Sequence, residues 1–366
     1  MKQEKIVYVF VSIIAILIII GLVFIYSSSS AFALEKCGSA DYFLKKQIVG
    51  LFLGIIGLLV CMRIPCDYIE RYAFLFFLCT LGLTALTFVS FFSVRIHGSS
   101  RWLHLCGFLF QPSELLKCGF IIYLASYLTK KEYTLHSFVY GYLPIIIMLA
   151  CSALVLLLQP DFGQMVTLCA TTCIIFVIAR IKWAYLAATV LPAVPITALL
   201  IYIKPYRFKR IVTFLNPWND PQGAGFQIIQ SLIAIGSGGF WGVGIAQSKQ
   251  KFFYLPMQHT DFIFSIIAEE TGFFGAFSII FLYLAFLYTG FRLAMSVKDL
   301  FACYVILGFV VLITLQAGIN ISVASGLLPT KGLGLPFISY GKSALIANLC
   351  MVGVIINCAR SQKSDI

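Results

Sequence analysis

Long apolar runs alternate with short polar breaks along the whole chain. The first run is unbroken from Ile6 to Tyr26. Nine more follow, at about 47–62, 71–92, 112–128, 138–158, 163–180, 183–203, 262–290, 300–327 and 337–359. A helix needs roughly 20 mostly apolar residues to cross a bilayer, so the pattern predicts about ten transmembrane helices. Between the seventh and eighth spans, residues 204–260 are rich in Pro, Gly and charge and predict one large loop. The expected fold class is an all-α polytopic membrane protein forming a single domain over residues 1–366. No internal repeat, low-complexity linker or pair of matching broken helices of the transporter kind interrupts it.

The first run ends in SSSSAFA (27–33), which resembles a signal-peptidase site. A cleaved leader has an apolar core of about 7–15 residues; this run is longer, so a retained first span is expected.

Composition agrees. Hydrophobic residues make up 61% and charged residues 11%, with mean hydropathy +0.98, against about 25% charged in soluble domains. A net charge of +12 would suggest nucleic acid for a soluble protein. Here the basic residues lie in short loops between spans, where anionic lipid is the fitting partner and nucleic acid is not. With the N-terminus inside, twelve Lys/Arg fall in the termini and inner loops, six in the short outer loops and six in the long loop. Orientation follows the short loops, which places both termini in the cytoplasm and loop 204–260 outside. Of twelve cysteines, most sit inside apolar runs as small hydrophobes. No metal-type CxxC pair occurs; Cys37 and Cys106, in outer loops, are the one pair placed to meet.

Polar groups inside spans need a reason, because a mid-bilayer charge costs roughly 2.5–3.5 kcal/mol. Glu114 and Lys117, in QPSELLKCGF, share a helix face and can pair; they are either a self-neutralised pair or the charged wall of a cavity. Gln316 and Asn320 share a face at i, i+4, as interhelical hydrogen-bonding residues do. Asp161 follows Pro160 at a span start, an N-cap position. Glu269 and Glu270 lie two turns inside the eighth span and point away from the face of Asp261, so one should meet a partner helix or the inner leaflet. GSGGFWGVG (236–244) fits no nucleotide-binding pattern and reads as a flexible re-entrant or interfacial turn. FQIIQSLIAI before it reads as a short amphipathic helix on the membrane.

Asp261, in LPMQHTDFIFS, stands just before an apolar helix. It can be an N-cap or a general base taking a proton from a substrate hydroxyl. His259 beside it is a second candidate, with a structural role as the simpler reading. Arg101, Arg207, Lys209, Arg210 and Lys331 on the same outer face can hold phosphate or snorkel to headgroups.

The stretches GSSRWLHLCGFLFQPSELLK (98–117), LLLQPDFGQ (156–164), the run from RFKRIVTFLNPWNDPQGAGFQ to HTDFIFSIIAEETG (207–272) and LLPTKGLGLPFISYGKSALIAN (327–348) resemble the SEDS family of bacterial cell-wall proteins, the FtsW, RodA and SpoVE group. The loop wording is closer to the division branch than to the elongation branch. The resemblance implies a ten-span plasma-membrane glycosyltransferase that polymerises lipid II outside the membrane for septal peptidoglycan. It implies as partners lipid II, a lipid-linked glycan strand, a class B penicillin-binding protein and other divisome proteins. The family's essential Asp falls on Asp261. Its PSE..K pair falls on Glu114 and Lys117, in a cavity near that Asp, with Arg101, Arg207, Arg210 and Lys331 as further substrate-binding candidates. No cofactor is implied with certainty; a divalent cation stays open. Met257 stands where the family has Glu, Lys342 where it has Gly and Gly334 where it has Pro. A lipid II flippase without chemistry, or a non-catalytic divisome scaffold, fits the same spans.

Overall fold

A computed structural model describes the backbone of residues 3–89, 91, 93–96, 99–105, 108–131, 137–203, 205–252 and 255–360. Each apolar run falls on helix. The elements are α1 (Gln3–Cys37), α2 (Tyr42–Cys61), α3 (Cys66–Arg71), α4 (Ala73–Ala85), α5 (Pro112–Lys130), α6 (Leu143–Leu158, entered through a π turn at Phe138–Tyr142), α7 (Phe162–Ile178), α8 (Trp183–Tyr202), α9 (Pro205–Leu215), α10 (Phe226–Ser237), α11 (Ile263–Met295), α12 (Leu300–Ala324) and α13 (Lys342–Arg360). Among the described residues six are long and apolar enough to cross a membrane: α1, α2, α6 with its π turn, α11, α12 and α13. α4, α7 and α8 supply shorter apolar stretches, and α5 is diluted by Glu114, Lys117 and Lys130. The chain is a multi-pass membrane protein.

Two departures from the sequence reading bear on the site. First, the all-α expectation needs a small amendment. Three strands form an antiparallel sheet in the order β1 (Ser93–Ile96), β2 (Ser99–Leu105), β3 (Phe108–Phe110), with Leu103 opposite both Ser93 and Phe110. Strand β2 carries Arg101. Second, the helix expected to lie on the membrane packs on protein. Helix α10 buries Ile228, Ile229, Ser231 and Ala234, and Ser231 Oγ lies 2.6 Å from Ser265 Oγ and donates to Ala324 O at 2.6 Å. Cys106 lies outside the described residues, so the Cys37 pairing has no geometry here.

The Gly-rich run is a docked strap rather than a flexible turn. Helix α11 breaks at Gly272 (φ 67°, ψ −162°), and the strap lies in the break. Val243 N and Gly244 N donate to Glu269 O and Glu270 O at 3.0 and 3.1 Å, while Phe273 N donates to Gly239 O at 2.8 Å. A Cβ on Gly238 would sit 2.1 Å from Ala268 O, and one on Gly242 2.2 Å from Glu270 O. The glycines are there because two backbones touch.

Helices α12 and α13 form the buried centre, whereas α2, α8 and the second half of α11 turn many large apolar side chains outward, as lipid-facing surfaces do. Helix α5 is buried nearly all round, and its charged pair therefore sits inside protein.

Candidate active site

The segment 255–262 leads into α11, and its backbone is clamped on three successive carbonyls. His259 O accepts from Tyr340 N (2.9 Å), Thr260 O from Ser339 Oγ (2.5 Å) and Asp261 O from Asn320 Nδ2 (2.8 Å). Asn320 also donates to Leu333 O at 2.6 Å. The aspartate is thus seated by α12 and by the segment joining α12 to α13. A Cβ on Gly332 would come 3.5 Å from Asp261 Oδ2, so that joining segment borders the carboxyl.

The Asp261 carboxyl is half-buried and caps nothing. The N-cap of α11 is Phe262, without a side-chain hydrogen bond. Burial pushes the Asp261 carboxyl up from an ordinary 3.8 to about 6, against the pull of Arg101 and Arg210 and with a small push from Asp161. Such a carboxyl is still ionised at neutral pH and is a stronger base than an exposed one.

Of the expected cations, Arg101 and Arg210 are held by backbone carbonyls, while Lys331 and Lys209 are held otherwise. Arg101 Nε donates to Gln159 O at 3.2 Å, its guanidinium also reaches Pro160 O, and it lies 4.0 Å from Asp161 Oδ2. Asp161 caps α7 through Gln164 N at 3.4 Å, as its position predicts. Arg210 donates to Thr330 O at 3.1 Å, tying α9 to the segment beside Asp261. Lys331 Nζ stands 5.1 Å from the Phe162 ring centroid, and partial burial lowers its ammonium. Lys209 turns to Asp220, 3.5 Å away on the exposed side. The Arg207 side chain lies outside the described residues.

Glu114 and Lys117 are 2% and 0% exposed, 2.9 Å apart. Gln164 Nε2 donates to Glu114 at 2.6 Å; Lys117 donates to Gln316 Oε1 at 2.9 Å; and Gln316 passes the chain on to Gly334 O at 3.1 Å. The pair is therefore neutralised and also wired to the segment beside Asp261. Gln316 bridges α12 to α5, as its spacing predicts, while Asn320 joins α12 to the segments beside Asp261. Sequence reasoning missed Ser339, Tyr340 and Gln164, whose roles depend on contacts across the fold.

His259 is a spacer. Its ring lies among Phe32, Phe43 and Tyr340, with centroids 5.8, 4.5 and 5.7 Å away. Burial lowers its imidazole to about 4, leaving it neutral. Glu269 and Glu270 both bind residues 246–251 instead of the inner leaflet, and Glu270 also meets α1.

The donor set around Asp261 offers no ready-made protein cage for a divalent cation. Among the described residues no three His, Cys, Asp or Glu side chains converge. The charged groups felt by Asp261 are mainly guanidinium groups, and Met257, in place of the family's Glu, is exposed.

Fold and site define a multi-pass membrane protein with one desolvated carboxylate in a cationic setting at a helix entrance. The chain belongs to the FtsW/RodA/SpoVE family: a family model described as "Cell cycle protein" matches residues 8–364. It is 41% identical over 348 residues to a probable peptidoglycan glycosyltransferase FtsW of Geobacter sp. (strain M18), covering 95% of each chain. It is 37% identical to stage V sporulation protein E of Bacillus subtilis, covering 96% of each. Among solved structures it resembles a chain of a peptidoglycan synthase complex that coordinates polymerization and crosslinking (TM-score 0.79, 28% identity, 99% of this chain and 98% of that one). Rod shape determining protein RodA of Thermus thermophilus is also similar (TM-score 0.73, 26% identity, 97% of each).

Proposed function

We propose that this chain is a peptidoglycan glycosyltransferase that polymerises lipid II for septal wall synthesis, with Asp261 as its general base. The observation that carries the reading is the Asp261 carboxyl: it accepts no capping hydrogen bond, is raised to about 6 by burial, and sits in the fields of Arg101 and Arg210. The acceptor's 4-hydroxyl gives its proton to Asp261 while its oxygen attacks the anomeric carbon of the lipid-linked strand. The bond to pyrophosphate breaks and undecaprenyl pyrophosphate leaves with the electron pair. A sugar alcohol leaving group would need a general acid, as in two-carboxylate glycosidases. Pyrophosphate needs positive charge instead, and Arg101, Arg210 and Lys331 are the groups placed to supply it. The Glu114–Lys117 network holds the segment that borders the carboxyl.

This reading places ten spans in the bacterial plasma membrane, with both termini cytoplasmic and residues 204–260 outside. It also gives the chain a single-span class B penicillin-binding protein as partner; the similarity to a chain of a synthase complex supports that assignment. The test is a gel of glycan products from purified protein and lipid II, with and without such a partner. Strands are expected. No strands under either condition, with lipid II crossing liposomes that hold the protein, would establish a flippase instead.

A further inference from the structure

We infer that Ser27, Lys251, Glu269 and Glu270 form a buried positioning hub that fixes Asp261 by fastening the stretch Gln258–Glu270 to α1. This rests on the transferase reading above and adds residues that do not touch the reacting atoms. The four residues are buried, and the Lys251–Glu270 ion pair (3.2 Å) is 4% and 0% exposed at its side chains. Glu270 accepts from Ser27 Oγ at 2.7 and 2.8 Å, from Ala246 N at 2.9 Å and from Ser248 N at 3.4 Å. Glu269 accepts from Lys249 N at 2.9 Å and from the Ser248 hydroxyl.

The other end of the stretch is tied to the next residue of α1: Gln258 Nε2 donates to Ser28 O at 2.7 Å. Gln258 and Glu270 flank Asp261 in sequence, and both close on one turn of α1. Of the serines of SSSSAFA, Ser27 joins the hub through its hydroxyl and Ser28 joins the clamp through its backbone carbonyl. Between the anchors, the helix segment 263–271 runs from Asp261 to the break at Gly272, so a shift at Glu270 is carried along a stiff rod of about 1.5 Å per residue to the carboxyl. Charge matters more than bulk here. Removing one partner of a buried ion pair strands the other, whereas removing both does not.

The test uses the full-length protein in detergent with Glu270→Gln, Lys251→Met, the double variant and Ser27→Ala. Two readouts are taken: hydrogen exchange of the 258–262 amides, and kcat and KM on lipid II per folded molecule. Each charge variant should speed that exchange and lower kcat by up to about 10²-fold with KM unchanged, as a small misplacement of a reacting group does. The acidic limb of kcat should also move down as water reaches Asp261, whose other charged neighbours are Arg101, Arg210 and Asp161. The double variant should recover most of both readouts. If the single charge variants fail to fold, Ser27→Ala decides: faster exchange with lower kcat supports the hub, and wild-type values for both overturn it. Wild-type exchange and kcat in folded Glu270→Gln would also overturn it. So would a double variant as impaired as the singles, which would make Glu270 a reacting group. If the wild type makes no strands, the transferase reading fails, and exchange alone still decides the hub.

Discussion

Replacing Asp261 by Asn separates the two roles a carboxylate can play at a helix entrance. Asn keeps the size and loses only the ability to take a proton. Loss of a general base costs about 10²–10⁴ in rate, so strands from lipid II should disappear from a product gel. Stability should move the other way. The folded-state carboxyl lies above its ordinary value, so the folded form binds more protons between pH 3.8 and about 6, and stability falls as pH rises through that window. At ~1.4 kcal/mol per decade the gap from 3.8 to about 6 amounts to at most ~3 kcal/mol at pH 7; solvent screening of a half-buried group trims it to ~1–2 kcal/mol. Asn carries no charge to desolvate and caps nothing, so the variant should melt in detergent at or above the wild-type temperature. A capping aspartate predicts the reverse: Asn active, and Ala destabilised by ~1 kcal/mol. Near-normal polymerisation by Asp261→Asn, or a lowered melting point, refutes the mechanism.

Four other outcomes follow from the same geometry. The kcat of the wild type should drop about tenfold per pH unit below a limb near 6, as Asp261 takes up a proton; a flat profile from pH 5 to 7 would count against the base. Glu114→Gln and Lys117→Met should each cost ~3–5 kcal/mol by stranding a buried charge, and the double variant should regain most of it; equal melting of all three would contradict the burial. Gly272→Ala should cost ~1–3 kcal/mol in detergent stability, because its φ is +67° and its Cβ would lie 2.4 Å from Gly242 N; wild-type melting would mean that the α11 break is not needed. A cysteine introduced at Asn219 should react with an impermeant thiol reagent in intact spheroplasts, and labelling only after lysis would reverse the proposed orientation.

The helices were legible because apolar periodicity and length are local signals, and each apolar run became helix. Asp261 and the Glu114–Lys117 pair were also legible, the first from a long motif and the second from a three-residue spacing. What holds them was not. Ser339 and Tyr340 reach back across the fold to the carbonyls of 259 and 260, and nothing in the wording ISYGK says so. Strands β1 and β3, four and three residues long, are too short for alternation to stand out. The wording of the Gly-rich strap suggests flexibility, because glycine usually loosens a chain. Here it lets two backbones approach, and the partner backbone in α11 lies far ahead in sequence. Of Glu269 and Glu270, the one expected to meet a partner helix is Glu270, which accepts from Ser27 of α1; that residues 246–251 fold back on both had no signal in the sequence.

The buried and half-buried charges of the described residues divide into two kinds. Glu114, Lys117, Lys251, Glu269 and Glu270 are paired or hydrogen-bonded on close geometry, which is how a protein tolerates ionised groups away from water. Asp261 differs. Its backbone is fastened at its own carbonyl and at the two before it, while its half-buried side chain has no hydrogen bond among the described residues and is raised to about 6. A site evolved only for stability would have satisfied that carboxylate, because an unpaired desolvated charge destabilises the fold. Rigid backbone around an unsatisfied side chain is what proton abstraction requires: the geometry is set in advance, and the missing partner is supplied by the acceptor hydroxyl.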